Sequence, residues 1–392
     1  MNPPQSFASS ARGGELRDAI LDVMARGVEV PLSDDEFNAL ALDVFRHQAD
    51  TVPVYGAMVR NRAGGAAVDH WSQVPPVPTR AFREFPLVSG PVDEVEAVFR
   101  TSGTTSGMES RGQHFVRELS LYRAAILPNA QAHLNPGDER VRFLGLLPAP
   151  ADRPDSSLVQ MAGVLRESWG VEGSAFLASS DWDFDPGRVM DALREAAAGG
   201  QPVLLMGTAF AFVRLLDGAK GVGGAGRRVQ LPPGSRVMET GGFKGRTRVV
   251  PREELYRSLS DLLGLPTHRI VNEYGMTELL SQFWETTLRS GGEPEGGVMG
   301  RHLEGPPWVR TLVLDPDRLV PLPDGEAGLL LHFDLANLHS VSAILTEDRG
   351  ERRGEGFRVL GRAAGAEPRG CSLTMDELLA ASSVQGSRGT GA

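Results

Sequence analysis

Strands and helices alternate over the middle of this 392-residue chain, and this alternation constrains the fold more than any other feature. Apolar runs predict short buried strands at 141–147, 202–206, 236–238 and 268–272. Helical spacing of apolar residues predicts helices at 118–132, 156–167, 186–198, 209–216 and 253–263. Strands separated by helices of this length form a parallel sheet with helices on both faces, so the sequence predicts an α/β fold.

The two ends of the chain follow other patterns. Residues 1–14 are polar and are expected to be unstructured, whereas Ser33 and Glu36 form a capping box that starts a helix over 34–48. Toward the C-terminus, short apolar segments at 309–314, 328–333 and 340–345 are separated by turn residues. They predict a small antiparallel or barrel-like β unit, and 384–392 reads as a disordered tail.

Composition excludes several classes of protein. The 40 basic and 50 acidic residues give a formal charge of -10, which argues against general affinity for nucleic acid. We find no run of 18 apolar residues and no export signal, so we expect no membrane span and a cytoplasmic location. The single cysteine, Cys371, cannot form an internal disulfide or an all-cysteine zinc site.

A glycine-rich stretch follows a predicted strand at 95–99 and reads T-S-G-T-T-S-G. Its glycines let backbone N–H groups turn toward one point and its hydroxyls add donors, so it is a candidate phosphate-binding loop. A flexible surface connection has the same composition and remains an alternative. The kinase and ATPase loop is excluded, because neither of the two lysines, Lys220 and Lys244, has that setting. The candidate residues are Thr101, Ser102, Gly103, Thr104, Thr105, Ser106 and Gly107.

Two further loops carry candidate residues at the ends of predicted strands. Gly241 and Gly242 follow the strand at 236–238 and would let a flat ligand lie against the backbone, although a plain tight turn explains them equally. The strand at 268–272 delivers N-E-Y-G-M-T-E, residues 272–278. There an aromatic ring can stack on a base, a hydroxyl can reach a phosphate and a carboxylate can hold Mg²⁺.

A third short stretch, T-E-D-R-G at 346–350, is read as the end of the small β unit. Its Asp348 could bind a ribose diol, although a surface carboxylate in a turn is the alternative. Gly361 and Arg362 follow a last apolar segment, at 357–360.

Taken together and in order, these stretches resemble the motif series of the adenylate-forming superfamily of acyl-CoA and aryl-CoA ligases, luciferases and adenylation domains. The resemblance covers about residues 75–375. It implies the large N-terminal domain of such enzymes, with two αβ lobes and a small β unit. It also implies activation of a carboxylic acid with ATP and Mg²⁺ to an acyl adenylate.

The resemblance assigns roles position by position. Thr101 to Gly107 would hold the β and γ phosphates, Gly241 and Gly242 the adenine, and Thr277 the α phosphate. Glu278 would bind Mg²⁺, Asp348 would bind the ribose hydroxyls, and Arg362 would reach the ribose or the phosphates. Within the middle motif, the residues expected at the nucleotide are Glu273, Tyr274, Gly275 and Met276.

The chain departs from the superfamily pattern at its lysines. A lysine after the phosphate loop is missing, with Arg111 the nearest cation, and none follows Lys244, so the usual C-terminal catalytic lysine is absent. Lys244 is the better lysine candidate for a phosphate. A short C-terminal segment with Cys371 is similar to the acyl-protein synthetases of the bacterial bioluminescence fatty-acid reductase complex. That similarity implies acylation of Cys371 and transfer to a partner reductase.

The resulting hypothesis is an ATP-dependent ligase that loads a carboxylic acid, expected to be a fatty acid, onto a thiol, Cys371, as a thioester. Two alternatives stay open: direct transfer to CoA, a carrier protein or an amine with Cys371 structural, and an ATP-binding regulatory subunit without chemistry. The predicted organisation is an N-terminal helical segment (1–74), an adenylation domain (75–360), a truncated C-terminal segment (361–383) and the tail (384–392).

Overall fold

The computed structural model describes residues 5–62, 67–101, 111–220, 228–241, 250–362 and 369–388. Over these ranges the helices are α1 (Gln5–Ala25), α2 (Asp34–Thr51), α3 (Pro53–Asn61), α4 (Ala81–Glu84), α5 (Leu119–Leu134), α6 (Ser157–Trp169), α7 (Pro186–Ala198), α8 (Ala209–Lys220), α9 (Arg252–Leu263) and α10 (Arg369–Arg388). The strands are β1 (Val77–Pro78), β2 (Ala97–Arg100), β3 (Gln113–Val116), β4 (Arg142–Gly145), β5 (Ala175–Phe176), β6 (Val203–Thr208), β7 (Arg236–Thr240), β8 (Ile270–Tyr274), β9 (Phe283–Glu285), β10 (Leu303–Glu304), β11 (Val309–Leu314), β12 (Ala327–Asp334), β13 (Ala343–Arg353) and β14 (Gly356–Arg362).

The chain divides into two compact units. The first comprises residues 1–128, 276–281 and 305–392, and the second comprises residues 129–275 and 282–304. The chain passes from the second unit to the first between Gly275 and Met276, inside the N-E-Y-G-M-T-E motif. The residues of this motif are therefore divided between the two units.

The second unit contains the predicted parallel sheet. Strands β5, β4, β6, β7 and β8 pair in parallel in that order, and β9 and β10 extend this sheet with antiparallel pairing. Helices α7, α8 and α9 contribute many of the buried side chains that pack with those of the strands in one apolar cluster. Parallel strands with apolar cores of this kind confirm the α/β class predicted from the alternation.

Strong local signals fix the helices of this unit. Asp185 accepts a hydrogen bond from the Gly187 N–H (2.8 Å) and Pro186 occupies the first helical position, so α7 begins where the sequence predicts. Helix α9 ends at Gly264, also as predicted.

The first unit is built on antiparallel strands. Strands β11, β12, β13 and β14 pair in that order, and β1 runs parallel to the first part of β13. This arrangement confirms the predicted antiparallel β unit. The T-E-D-R-G stretch does not end it, however, because β13 continues through these residues to Arg353. A register shift between Arg349 and Gly350 lets the strand pass through this point while staying paired with β14.

Strand β3 follows the glycine-rich stretch and pairs antiparallel with β2, and the helix predicted at 118–132 then follows as α5. Two other expectations need correction. The N-terminus is helical from Gln5, because Leu16, Ile20 and Met24 anchor α1 and a formed helix extends at little cost. The C-terminal helix continues through 384–388, which we expected to be disordered.

Candidate functional site

The candidate phosphate-binding loop is closed at its base by its two described ends. The Thr101 N–H donates to the Gly112 carbonyl (3.0 Å), and the Gly112 N–H donates to the Thr101 hydroxyl (3.0 Å). The Arg111 guanidinium donates to the Thr101 carbonyl. Residues 102–110 lie outside the described residues, so the roles predicted for Ser102, Gly103, Thr104, Thr105, Ser106 and Gly107 stay predictions.

A cation that sequence reasoning missed lies beside this base. Arg83, an exposed residue of α4, approaches Gly112 so closely that a Cβ there would lie 3.6 Å from the Arg83 Cγ. Its only sequence signal was its place as one of two arginines, Arg80 and Arg83, in a proline-rich segment. That signal carries no information about which residues it meets in the fold.

Glu278 is a buried carboxyl of the first unit. Its side chain is 7% exposed, and burial raises its pKa to about 7. Its own backbone N–H and the positive charges of Arg83 and Arg362 lower the pKa, whereas the Asp348 carboxylate raises it. Glu278 therefore lies within electrostatic reach of two residues predicted independently and of Arg83.

Asp348 and Arg362 are brought together by strand register. They lie opposite each other on β13 and β14, and the Arg362 Nε is 3.8 Å from the Asp348 Oδ1. The Arg362 side chain is 77% exposed against 20% for Asp348, so the guanidinium can reach a ligand. Thr346 anchors the backbone of Asp348: its hydroxyl accepts from the Asp348 N–H (3.1 Å) and donates to the Leu330 carbonyl (2.9 Å).

A buried histidine fixes the backbone of Thr277. The His114 Nδ1 lies 2.9 Å from the Thr277 carbonyl, and the Phe82 ring contacts the imidazole edge-on with centroids 5.5 Å apart. Burial lowers the His114 pKa to about 4, so at neutral pH the ring is neutral and Nδ1–H is the donor. Sequence reasoning missed His114, since it lies 163 residues from Thr277.

The candidate adenine-binding residues lie at the carboxyl ends of β7 and β8 in the second unit. Gly241 follows β7 with φ of 77°, which favours glycine. The Thr240 hydroxyl bonds the Glu273 carboxyl, which is 4% exposed and whose pKa burial raises to about 7. Glu273 therefore points into the protein, whereas the half-buried Tyr274 packs its ring at a tilt on Phe283, 5.8 Å away.

Gly275 leaves room for the Glu273 carboxyl. A Cβ at this position would lie 2.3 Å from the Glu273 Oε1, so another residue here would displace the end of that side chain. The next residue, Met276, is half-buried and accepts a hydrogen bond from the Leu279 N–H (3.2 Å). Gly242 and Lys244 lie outside the described residues, so their roles stay predictions.

Cys371 lies in the first turn of α10 and is buried. Its side chain is 2% exposed and packs in an apolar cluster with leucines of three strands. These leucines are Leu314, Leu329, Leu331 and Leu345. In this conformation the thiol is therefore closed to a ligand.

Among the described residues, no group of three or more His, Cys, Asp and Glu side chains is arranged to hold a metal ion by itself. Mg²⁺ in nucleotide sites commonly takes only one or two carboxylates and completes its shell with water and phosphate, so Glu278 still fits such a site. In the same ranges, no helix is both long and apolar enough to cross a membrane.

Comparisons with known proteins agree with the fold. The solved structure of 2-hydroxyisobutyryl-CoA ligase in an open conformation, with 2-HIB-AMP and CoA, superposes with a TM-score of 0.58. The sequences are 14% identical, and the match covers 85% of this chain and 71% of that one. The likeness confirms the predicted fold class. ATP-bound MatB from Rhodopseudomonas palustris is 18% identical with a TM-score of 0.48 over 70% of this chain, which spans about half (49%) of MatB.

Sequence comparisons identify the family. A long-chain-fatty-acid–luciferin-component ligase of Vibrio harveyi is 26% identical over 330 residues, which cover 81% of each chain. The family described as "Acyl-protein synthetase, LuxE" matches residues 9–380. This match covers nearly the whole chain and confirms the similarity inferred from the motifs. The chain belongs to the LuxE acyl-protein synthetase family.

Proposed function

We propose that this chain activates a fatty acid with ATP and Mg²⁺ to an acyl adenylate and transfers the acyl group to the Cys371 thiol. The Vibrio harveyi relative is named as a ligase of long-chain fatty acids, which supports a fatty acid as the substrate. The adenylation region would comprise about residues 75–360. From Cys371 the acyl group would pass to a partner protein, as the luciferin component in the relative's name suggests.

One observation carries the proposal: charged groups converge around Glu278 in the first unit. Asp348 and Arg362 belong to separate motifs, yet both act electrostatically on this buried carboxyl, together with Arg83. A carboxylate with two arginines nearby is suited to a metal-bound polyphosphate, whose charge both kinds of group would share. Arg83 would supply positive charge that the missing lysine provides elsewhere in the superfamily.

The chemistry proceeds in two substitutions. A carboxylate oxygen of the fatty acid attacks the α phosphorus of ATP, and pyrophosphate leaves. The Cys371 thiolate then attacks the acyl carbon, so that a C–S bond forms, the C–O bond to AMP breaks and AMP departs. Mg²⁺, when bound at Glu278, would neutralise phosphate charge. The Thr277 hydroxyl, on a backbone held by His114, would donate to the α phosphate.

A second candidate has a specific observation in its favour. The burial of Cys371 among leucines is what a purely structural cysteine shows, and it favours direct transfer to CoA, a carrier protein or an amine. Under this alternative the adenylation step is unchanged and only the acceptor differs.

The Cys371→Ser variant separates the two candidates. Wild type and variant are incubated with ATP, Mg²⁺ and a radiolabelled fatty acid, and two quantities are measured: ATP–pyrophosphate exchange and label retained on denatured protein. We expect exchange in both proteins, with hydroxylamine-sensitive label only on the wild type. Label on neither protein, with normal exchange, favours the direct-transfer candidate. No exchange with any fatty acid contradicts the proposed activation itself.

A further inference from the structure

The segment that follows Glu278 is held by a buried loop that starts at Asp334, the last residue of β12, and continues as the short 3-10 helix Leu335–Asn337. The Leu280 and Ser281 N–H groups donate to the Asp334 Oδ2, at 3.1 and 2.9 Å. The Ser281 hydroxyl donates to the other oxygen of Asp334 at 2.8 Å. Asp334 is fully buried and also accepts from the Ala336 N–H at 3.0 Å. One carboxyl group thus fixes two consecutive backbone amides beside Glu278.

Asn337 completes this attachment from the same loop. Its Nδ2 donates to the Glu278 carbonyl at 2.8 Å and to the Val341 carbonyl at 3.0 Å. Its Oδ1 accepts from the Leu280 N–H at 3.0 Å. The side-chain amide of Asn337 therefore holds the backbone of Glu278 directly, through the Glu278 carbonyl.

Burying the carboxyl of Asp334 in the core lowers the stability of the fold, which suggests that this carboxyl serves another purpose. Burial raises the pKa of Asp334 to about 6, and its hydrogen bonds only partly offset that penalty. A packed apolar loop would stabilise the fold without placing a carboxyl in the core. Five of the seven side-chain hydrogen bonds described above for Asp334 and Asn337 end on residues 278–281, and the other two, to Ala336 and Val341, hold the two side chains in place. Their main common effect is therefore to fix the position of 278–281.

We propose that Asp334 and Asn337 are positioning residues for the adenylation step: they fix the backbone that carries Glu278 and so aim its carboxylate at the Mg²⁺–nucleotide. The inference rests on the proposed function. Small displacements of a catalytic group reduce rates steeply, which gives such a rigid attachment a catalytic value.

The chain offers a matched control for Asn337 in Gln48 of α2. Gln48 is also a buried amide, and its Nε2 donates to the carbonyls of Asn337 (3.0 Å) and Leu338 (3.3 Å). It secures the same loop without a described hydrogen bond to 278–281. Asn337→Asp and Gln48→Glu are comparable changes, since each replaces an amide NH₂ that faces two carbonyls with an oxygen; Gln48→Glu also removes the bond from Nε2 to the Ser342 hydroxyl (2.8 Å).

The test compares these two variants by amide hydrogen exchange and by ATP–pyrophosphate exchange kinetics. We expect Asn337→Asp to accelerate amide exchange in a peptide covering 278–282, to lower kcat about tenfold or more and to raise the Mg²⁺ concentration for half-maximal rate. Gln48→Glu should lower the melting temperature to a similar degree while kcat stays within about twofold of wild type.

Two outcomes overturn the inference. One is an equal loss of kcat in both variants at equal loss of stability, and the other is unchanged kcat in Asn337→Asp. If Asn337→Asp does not fold, Ser281→Ala replaces it, because it removes only the hydroxyl bonds to Asp334 and to the Trp308 Nε1 (3.0 Å). It should show the same signature at smaller amplitude, and unchanged kcat and amide exchange would contradict the inference. A wild type without exchange activity would instead contradict the proposed function.

Discussion

Glu285 in the second unit and Glu278 in the first are both buried glutamates, but their partners differ. The Glu285 side chain is 1% exposed and accepts hydrogen bonds from Arg301 (2.9 Å), Arg252 and the Asn272 N–H (2.9 Å). The charges around Glu278 instead act on it through space, and the hydrogen bond to its carboxyl comes from its own N–H.

This difference separates a structural carboxylate from a candidate catalytic one. Arg301 is itself 1% exposed, so the Arg301–Glu285 pair is closed to any ligand. Glu278 retains acceptor capacity and has nearby cations that suit a polyphosphate. Burial alone therefore does not distinguish a catalytic carboxylate from a structural one. The hydrogen-bond and ion-pair partners of the buried carboxylate do.

The largest effect we expect is a loss of stability when the buried ion-pair cluster of Glu285, Arg252 and Arg301 is broken. Glu285→Gln leaves the Arg301 and Arg252 guanidinium groups without their shared carboxylate, and removing one partner of a buried pair costs about 3–5 kcal/mol. The free energy of unfolding is measured by urea titration with tryptophan fluorescence. The matched control is Glu295→Gln, an exposed glutamate of the same unit, which should stay within about 0.5 kcal/mol of wild type. A loss of under about 1 kcal/mol would contradict the structural reading of Glu285.

The second expected effect is on activity and not on stability. Glu278→Gln keeps the shape of the side chain but removes its charge, so ATP–pyrophosphate exchange should fall by about 10²–10³-fold. The free energy of unfolding should change by no more than about 1 kcal/mol, since a buried carboxyl with a raised pKa gains little from its charge. The opposite pattern, in which stability is lost and ATP–pyrophosphate exchange is retained, would show that Glu278 is a structural carboxylate like Glu285.

Sequence reasoning succeeded where the signal is local. The Ser33–Glu36 capping box forms as predicted, with the Glu36 N–H donating to the Ser33 hydroxyl at 3.2 Å and Glu36 accepting in return. The T-E-D-R-G stretch was misread because turn-like residues can also form a bulge within a continuous strand.

The candidate site divides in the same way. Glu278, Asp348 and Arg362 were found because each belongs to a recognisable motif, and the structure brings them within electrostatic reach of one another. Arg83 and His114 were missed because strand pairing and packing, not sequence proximity, bring them to Glu278 and Thr277. Asp334 and Asn337 lie at the end of β12 and in the 3-10 helix after it, where the sequence shows no recognisable motif. Their role is inferred only from their hydrogen bonds in the structure.

The smallest expected effect is on the pH dependence of stability, and it concerns Glu239, a buried carboxyl near Arg252 and Glu285 in the second unit. Glu239 accepts from the Asn272 side chain (2.8 Å) and from the Tyr256 hydroxyl (3.1 Å), and burial raises its pKa to about 7. A raised pKa means that the folded state holds a proton that the unfolded state releases above about pH 4.5. Its contribution to stability is therefore complete below that pH and is lost as pH rises through 7.

Glu239→Gln removes this titration while keeping the side-chain shape. From pH 5 to pH 8 the free energy of unfolding of the wild type should fall by about 2 kcal/mol more than that of Glu239→Gln. Glu295→Gln again serves as the control and should follow the wild-type curve. Parallel curves for wild type and Glu239→Gln would mean that the charge of Arg252 keeps Glu239 ionised in the fold. In that case Arg252 and Arg301 would keep both Glu239 and Glu285 ionised in the folded state. The contrast with Glu278, whose pKa is raised, would then be larger.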